Sequence, residues 1–460
     1  MPAEGSGRSF SPPRVTWPRM AASGISAPAL AALPARPFDG RSRFVLAPLS
    51  LSLDQLLFLI TSALLCFGLI MVQSADARIR TTHDNWLAQS FSNKNAIHAA
   101  LALLALTATW RMDYRWLLGK STGRGDRSLF AMLLTPAAWL VILTAAFLVA
   151  VLTTPLGREL NGARRWFGYG AFGFQPSELA KLSLVLFVSA YAVHRADVVR
   201  SFWKGFLPLM AVFGFIAALV VKEDFGTTVL LAAVVLSLFL MAGCRVWHLA
   251  LLTPGLAAVV YHMLNTPFRQ ARLMAFMHPE ADPRAGYHPL QSLLTIISGG
   301  FWGRGLGNGI LKMGYLPEDN TDFIFAVVCE ELGFVGAAMV IALFAAFVLV
   351  GWRITCRCHS LFGKMAAFGI TAVIGLQAAI NIAVVTVSMP TKGIALPLIS
   401  SGGTGWIMNA AAIGVLMSIE RGTRRAAESA LLADRGVGPG QGFPVELSVP
   451  AMPVVPAVPV

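Results

Sequence analysis

From Leu56 onward the chain alternates long apolar runs with short polar connections. Ten stretches, about 56–73, 96–110, 129–152, 177–193, 205–221, 226–242, 246–265, 323–351, 362–387 and 395–418, reach or approach the length that crosses a bilayer. A helix needs roughly 20 apolar residues to span about 30 Å of hydrocarbon. The second stretch is short and extends backward through polar Asn93–Ala96; the eighth is long enough to begin with an interfacial turn. In lipid every backbone N–H and C=O must be paired inside the chain, and continuous runs of this length do so as helices rather than barrel strands. The expected fold class is therefore all-α, a polytopic membrane protein of about ten transmembrane helices occupying residues 53–420.

Three regions depart from this rhythm. Residues 1–52 are rich in Pro, Ser, Ala and Arg, with Glu4 and Asp39 as their only acids, and read as a disordered tail. They hold no continuous apolar core of a cleaved secretory signal, although an Arg-rich, acid-poor composition also overlaps with organellar transit peptides. Residues 421–460 turn to Gly, Pro and Val beyond about 436 and read as a second flexible tail. The connection 266–322, between the seventh and eighth spans, far exceeds the usual length. It carries Phe268, Tyr287, Trp302, Tyr315 and a run of glycines, so a folded unit on the outer membrane face is expected.

Composition agrees with a bilayer as solvent. The 460 residues are 56% hydrophobic and 13% charged, about half the ~25% of a soluble domain, with a mean hydropathy of +0.66. The net charge of +13 does not point to nucleic acid, because the basic residues lie in short loops and no basic stripe interleaves with aromatics. It points to orientation and anionic lipid. With the N-terminus inside, 22 basic residues fall on the cytoplasmic side and 13 outside, five of the latter in the long loop that counts little. Both termini are expected in the cytoplasm. The five cysteines are scattered, and Cys356, Cys358 and His359 lack a fourth ligand for zinc.

With so few ions, each charge beside the bilayer is a functional candidate. Asn161-Gly162-Ala163-Arg164-Arg165-Trp166 precedes Gln175-Pro176-Ser177-Glu178-Leu179-Ala180-Lys181. Pro-Ser marks a helix entry, and Glu178 and Lys181, three apart, share one helix face. They form either a salt bridge at a helix end or part of a cationic phosphate site. Lys222-Glu223-Asp224-Phe225-Gly226-Thr227-Thr228 makes a tight outer turn, which needs polar residues in any case. Tyr315-Leu316-Pro317-Glu318-Asp319-Asn320-Thr321-Asp322 places Asp322 as the last charge before the eighth span. Desolvation there favours a general base, while a helix cap is the plainer role. Glu330 and Glu331 lie about two turns further in, where a charge is costly unless paired. Finally, Pro390-Thr391-Lys392-Gly393 and Ser400-Ser401-Gly402-Gly403-Thr404-Gly405 imply irregular helix. Such backbone either lines a cavity under protein cover or forms a small-residue packing surface.

These segments, in this order across about 55–420, resemble the SEDS family of shape, elongation, division and sporulation proteins, which includes FtsW, RodA and SpoVE, and the FtsW branch most of all. The resemblance implies a peptidoglycan glycosyltransferase of the bacterial inner membrane that polymerises lipid II at the division septum. It makes Asp322 the general base or positioner of the acceptor hydroxyl. It makes Lys181 and Arg165 diphosphate-binding, with Glu178 and Gln175 in the same site and Arg269, Arg272 and Lys392 as further contacts. It implies as partners lipid II, the growing glycan on undecaprenyl diphosphate, membrane lipid, a class B penicillin-binding protein and other divisome proteins. No resident cofactor is implied, although Mg²⁺ or Mn²⁺ bridging the diphosphate is chemically reasonable. Departures from the family pattern are Gly173 for Arg, Glu223 for Pro, His288 for Gln, Asp319-Asn320 for Ala-His, and Thr404-Gly405 ending the Ser-Tyr-Gly-Gly-Ser-Ser run. A lipid II flippase, a non-catalytic divisome scaffold and an elongation role are the competing readings.

Overall fold

The computed structural model describes residues 44–46, 49–76, 94–119, 132–160, 163–168, 173–221, 223–251, 253, 257, 261, 265–278, 286–311, 320–401 and 403–434. Two three-residue strands, β1 (Phe44–Leu46) and β2 (Leu49–Leu51), pair antiparallel within what reads as tail. The helices begin with α1 (Leu53–Asp76), α2 (Lys94–Arg111), the single turn α3 (Arg115–Leu118) and α4 (Pro136–Thr153). A hairpin follows, β3 (Gly157–Leu160) and β4 (Ala163–Phe167), paired antiparallel with a bulge at Arg158 and Glu159. Then come α5 (Pro176–His194), a π-turn (Phe202–Phe206) running into α6 (Leu207–Val221), α7 (Phe225–Met241) and the short α8 (Val246–Ala250). The long connection folds into α9 (Pro267–Met277) and α10 (Tyr287–Gly299). The chain closes with α11 (Ile324–Arg357), α12 (Leu361–Val385) and α13 (Thr404–Asp434).

Among the described residues six helical segments are long and apolar enough to cross a membrane: Leu53–Ala75, Pro136–Thr153, Pro176–His194, Phe202–Val221, Ile324–Arg357 and Leu361–Val385. Helix α7 is apolar but shorter, and α2 and α13 carry more polar residues and pack along one another. The protein is thus an all-α polytopic membrane protein. Of the six, α5 is the most enclosed, with 83% of its apolar window buried, which makes it the central helix. Each expected span contains a described helix; for 246–265 that is only α8, and most of the rest lies outside the described residues. Both ends of the last span differ. The last helix starts at Thr404 rather than 395, because the prolines and glycines before it do not continue a helix. It then runs to Asp434, through residues expected to be tail.

The connection 300–311 explains how Glu330 and Glu331 sit at 0% exposure. Helix α11 kinks at Gly333, whose φ of +65° releases backbone groups from the helical ladder. The loop takes them up. Arg304 and Gly305 donate N–H bonds to the carbonyls of Glu330 (3.0 Å) and Glu331 (2.9 Å), and Phe334 N–H returns one to Gly300 (3.0 Å). The carboxylates are also met by the loop: Glu330 Oε1 accepts from Ile310 N (2.8 Å) and Leu311 N (3.2 Å). Glu331 Oε2 accepts from Gly307 N (3.1 Å), and the Ser74 hydroxyl of α1 reaches both Glu331 oxygens (2.7 Å each). These N–H and O–H donors offset part of the cost of burying the two carboxylates. The pair therefore fastens the loop to α11 and α1.

This junction tolerates no side chain at Gly333: an added Cβ would lie 2.4 Å from Gly303 N and 2.5 Å from Phe301 O. The left-handed φ alone costs about 1–3 kcal/mol in a non-glycine residue. Gly333→Ala is expected to lower the melting temperature of the detergent-solubilised protein clearly. Gly214→Ala, in α6 with nothing within 4 Å of the new methyl, serves as the control and should leave it unchanged or slightly raised.

Candidate active site

Between α12 and α13 the chain does not cross as a helix. It enters the bundle, turns at Leu396–Ser400 and leaves. The turn is built from its own polar groups: Ser400 N donates to Leu396 O (3.0 Å) and the Ser400 hydroxyl accepts Leu396 N (2.7 Å). Trp406 Nε1 donates to Ser400 O (2.7 Å), and Ser401 N to Asn320 O (2.9 Å). Leu396, Leu398 and Ile399 are buried, and Gly68 of α1 lets the Leu398 carbonyl lie against its helix. This is irregular backbone covered by protein, as the prolines and glycines imply.

The segment walls a cavity of about 320 Å³. The hairpin contributes Arg165 and Trp166, the first turn of α5 Gln175 and Glu178, and the start of α7 Asp224 and Thr227. The approach to α11 contributes Thr321 and Asp322, α12 contributes Gln377, and α13 contributes Gly405, Trp406 and Asn409. The N-terminal ends of α5, α7, α11 and α13 therefore meet at one space. Helix N-termini carry partial positive charge and unpaired N–H groups, which favour an anion.

The carboxylates at this space have distinct situations. Asp224 caps α7: Oδ1 accepts Thr227 N (2.9 Å) and Oδ2 accepts the Thr227 hydroxyl (2.7 Å). Glu178 is ion-paired with Lys181 at 2.7 Å, as their spacing predicts. Asp322 is half-buried. A Cβ on Gly393 would stand 2.9 Å from Asp322 Oδ2 and 3.9 Å from Arg165 Nη1, so both groups face the gap that this glycine leaves. The Arg165 Nε is buried without a hydrogen-bond partner among the described residues.

Of the residues singled out from sequence, Asp322, Arg165, Gln175 and Glu178 meet at the cavity. Lys181 does not line it: at 3% exposure it stands one turn behind Glu178, with Nζ donating to Gln377 Oε1 at 2.6 Å. Lys392 and Arg272 lie apart from the cavity lining. The Lys392 ammonium sits 5.6 Å from the centre of the Phe225 ring, and burial pushes its pKa down. Arg272, exposed on α9, donates to Thr391 O at 3.4 Å. The side chain of Arg269 lies outside the described residues. Arg164 separates from its neighbour: its guanidinium binds the carbonyls of Leu152, Thr154 and Gly157 at the end of α4.

Three departures from the family pattern have local partners. Glu223 Oε2 accepts the Arg164 N–H (2.8 Å) and ties the hairpin to α7. Gly173 leaves room for the Trp166 ring, which a Cβ would approach to 3.1 Å. His288 stacks on Phe323, next to Asp322 (6.0 Å, 29°). Gln377, Asn381 and Asn409 do not stand out in the sequence. Their signal was uncharged polarity inside otherwise apolar spans, which a search for charges does not register. Among the described residues no group of three or more His, Cys, Asp or Glu side chains is placed to hold a metal.

The family model for cell cycle proteins of the FtsW, RodA and SpoVE type matches residues 54–425. A relative named probable peptidoglycan glycosyltransferase FtsW, from Geobacter sp. (strain M18), is 34% identical over 385 residues, covering 81% of this chain and 98% of its own. A protein of the same name from Idiomarina loihiensis is 37% identical over 384 residues, covering 81% and 88%. Stage V sporulation protein E of Bacillus subtilis is 35% identical over 374 residues, covering 81% and 98%. The fold is similar to that of the rod shape determining protein RodA of Thermus thermophilus (25% identity, TM-score 0.51, 79% and 95% covered). It is also similar to a chain of a peptidoglycan synthase complex that coordinates polymerisation and crosslinking (24% identity, TM-score 0.60, 80% and 97% covered). With the matched span enclosing every helix and residue that builds the cavity, this chain belongs to the FtsW/RodA/SpoVE family of cell cycle proteins.

Proposed function

We propose that this protein is a peptidoglycan glycosyltransferase that polymerises lipid II at the division septum. The observation that carries the reading is the meeting of four helix N-termini and Arg165 around a cavity that also holds Asp322. Positive helix ends and a guanidinium suit a diphosphate, and the carboxylate suits a sugar hydroxyl that must lose a proton. The 4-hydroxyl of the acceptor attacks the anomeric carbon of the donor glycan, Asp322 takes its proton, and the bond to the diphosphate oxygen breaks. The polyprenyl diphosphate is a good leaving group, so a second carboxylate acting as acid is not required. Gln175 and Glu178 are assigned to the donor, and Lys392 and Arg272, with Arg269 on the strength of the sequence, to further contacts with its phosphates. A divalent cation, if the reaction uses one, would be held on the protein side by Asp322 and would offset charge on the leaving diphosphate.

The basic-residue tally supports an inner-membrane orientation with both termini cytoplasmic and the cavity outside. The likeness to a chain of a polymerising and crosslinking complex supports a class B penicillin-binding protein as partner, and relatives named FtsW support work beside other divisome proteins.

Purified protein supplied with labelled lipid II should make glycan strands, and Asp322→Asn should reduce the rate at least about 100-fold while eluting as a monodisperse species. Polymerisation by that variant at the normal rate would end the assignment of Asp322. Movement of lipid II across vesicles with no glycan made by the wild type would favour a flippase. Normal division with Asp322→Ala would favour a scaffold.

Lys181→Met should destabilise the protein by up to about 3 kcal/mol, because Glu178, mostly shielded at the cavity wall, is left without its cation. Adding Glu178→Gln should restore the melting temperature. Activity of the folded double variant below that of folded Glu178→Gln alone would assign Lys181 to diphosphate; equal activity of the two would make the Lys181 side of the pair purely structural.

A further inference from the structure

Two amides of α12, Gln377 and Asn381, lie one helical turn apart in a largely apolar helix and are 3% and 1% exposed. Buried amides of this kind are retained when their hydrogen bonds hold something in place. The Asn381 NH₂ uses both hydrogens on backbone carbonyls from separate segments: Asp322 O at 2.8 Å and Ile394 O at 2.7 Å. The opposite amide orientation would set an oxygen against two carbonyl oxygens, so the donor assignment is forced. The Asn381 Oδ1 is left buried without a hydrogen-bond partner among the described residues. Gln377 divides its ends: Oε1 accepts Lys181 Nζ at 2.6 Å, and Nε2 donates to Ala395 O at 2.9 Å.

Ile394 and Ala395 belong to the non-helical cavity wall, where no ladder pairs their carbonyls, and Gly393 beside them faces both Asp322 and Arg165. The two amides thus connect three parts of the site: the Asp322 backbone, the 393–395 wall, and the Lys181–Glu178 pair. We propose that Gln377 and Asn381 are positioning residues that hold Asp322 in register with the cavity wall and with Lys181. This rests on the glycosyltransferase reading above. A displacement of about 1 Å at a reacting group costs about 100-fold in rate, and Asn381 bridges the two segments whose separation sets the gap at Gly393.

Near-isosteric variants separate this from simple packing. Asn381→Leu removes both donors, and Asn381→Asp faces two carbonyls with an acceptor. Gln377→Glu keeps the acceptor for Lys181 and loses the donor to Ala395. On the folded fraction of purified protein, both Asn381 variants should lower kcat for lipid II polymerisation by about 100-fold with KM within about threefold. Gln377→Glu should give a smaller loss of kcat, about tenfold, also without a KM change. Backbone amide exchange is read in parallel and should rise at 320–326 and 393–401 in the Asn381 variants, with α4 and α6 unchanged. Wild-type kcat in the folded fraction, or unaltered exchange at both segments, overturns the proposal. If wild-type protein makes no glycan at all, the glycosyltransferase reading falls, and the exchange data still decide whether the amides clamp the two segments.

Discussion

Backbone groups shielded from water must find partners inside the protein, and this structure depends on how it meets that demand where helices are interrupted. Two interruptions matter. At Gly333 the helix opens and the loop 300–311 fills the gap with its own N–H and C=O groups. At Leu396–Ser400 the chain turns inside the bundle and uses the Ser400 hydroxyl, the Trp406 indole and the two α12 amides instead. Each interruption would cost several kcal/mol per orphaned group in lipid. Once paired, each is rigid, because no partner can leave without exposing another polar atom.

The cavity follows from the second interruption. A continuous tenth helix would run straight through the space where α5, α7 and α11 begin. By starting α13 at Thr404, the chain leaves four helix ends facing one volume. The Gln175 N–H reaches the Thr404 hydroxyl (3.3 Å), so two of these ends are tied directly. Charge is then distributed by role. Asp224 is spent on a cap, Glu178 on Lys181, and Glu330 and Glu331 on a loop, whereas Asp322 and Arg165 face the gap at Gly393. Among these carboxylates, Asp322 is the one that the proposed function assigns to chemistry.

Much of this was legible from residue order. The spans of α1, α5, α6, α7 and α12 match the apolar runs within a few residues, because a bilayer enforces length and polarity locally. The Glu178–Lys181 pair followed from helical spacing, and Asp322 from being the last charge before a span. Other features were not legible. The hairpin carrying Arg165 has no strong strand signal, and its two arginines look alike in sequence; only the end of α4 decides that Arg164 binds carbonyls while Arg165 reaches the cavity. Lys181 read as a cavity residue, but the turn of helix between it and Glu178 puts it behind the wall. Gln377 and Asn381 carry no charge, so nothing local marks them.

By itself, then, the sequence determined the solvent, the helical class, the approximate spans and the short set of ionisable residues from which a site could be made. These are local properties, set by the cost of polar groups in hydrocarbon and by periodicity along one helix. Only the tertiary structure decided which of those residues share a cavity, which are consumed as caps and ties, and which uncharged amides hold them. Such assignments depend on carbonyls and side chains as far apart in the chain as Ser74 and Glu331, or Lys181 and Gln377. Distance in sequence carries no record of them until the helices pack.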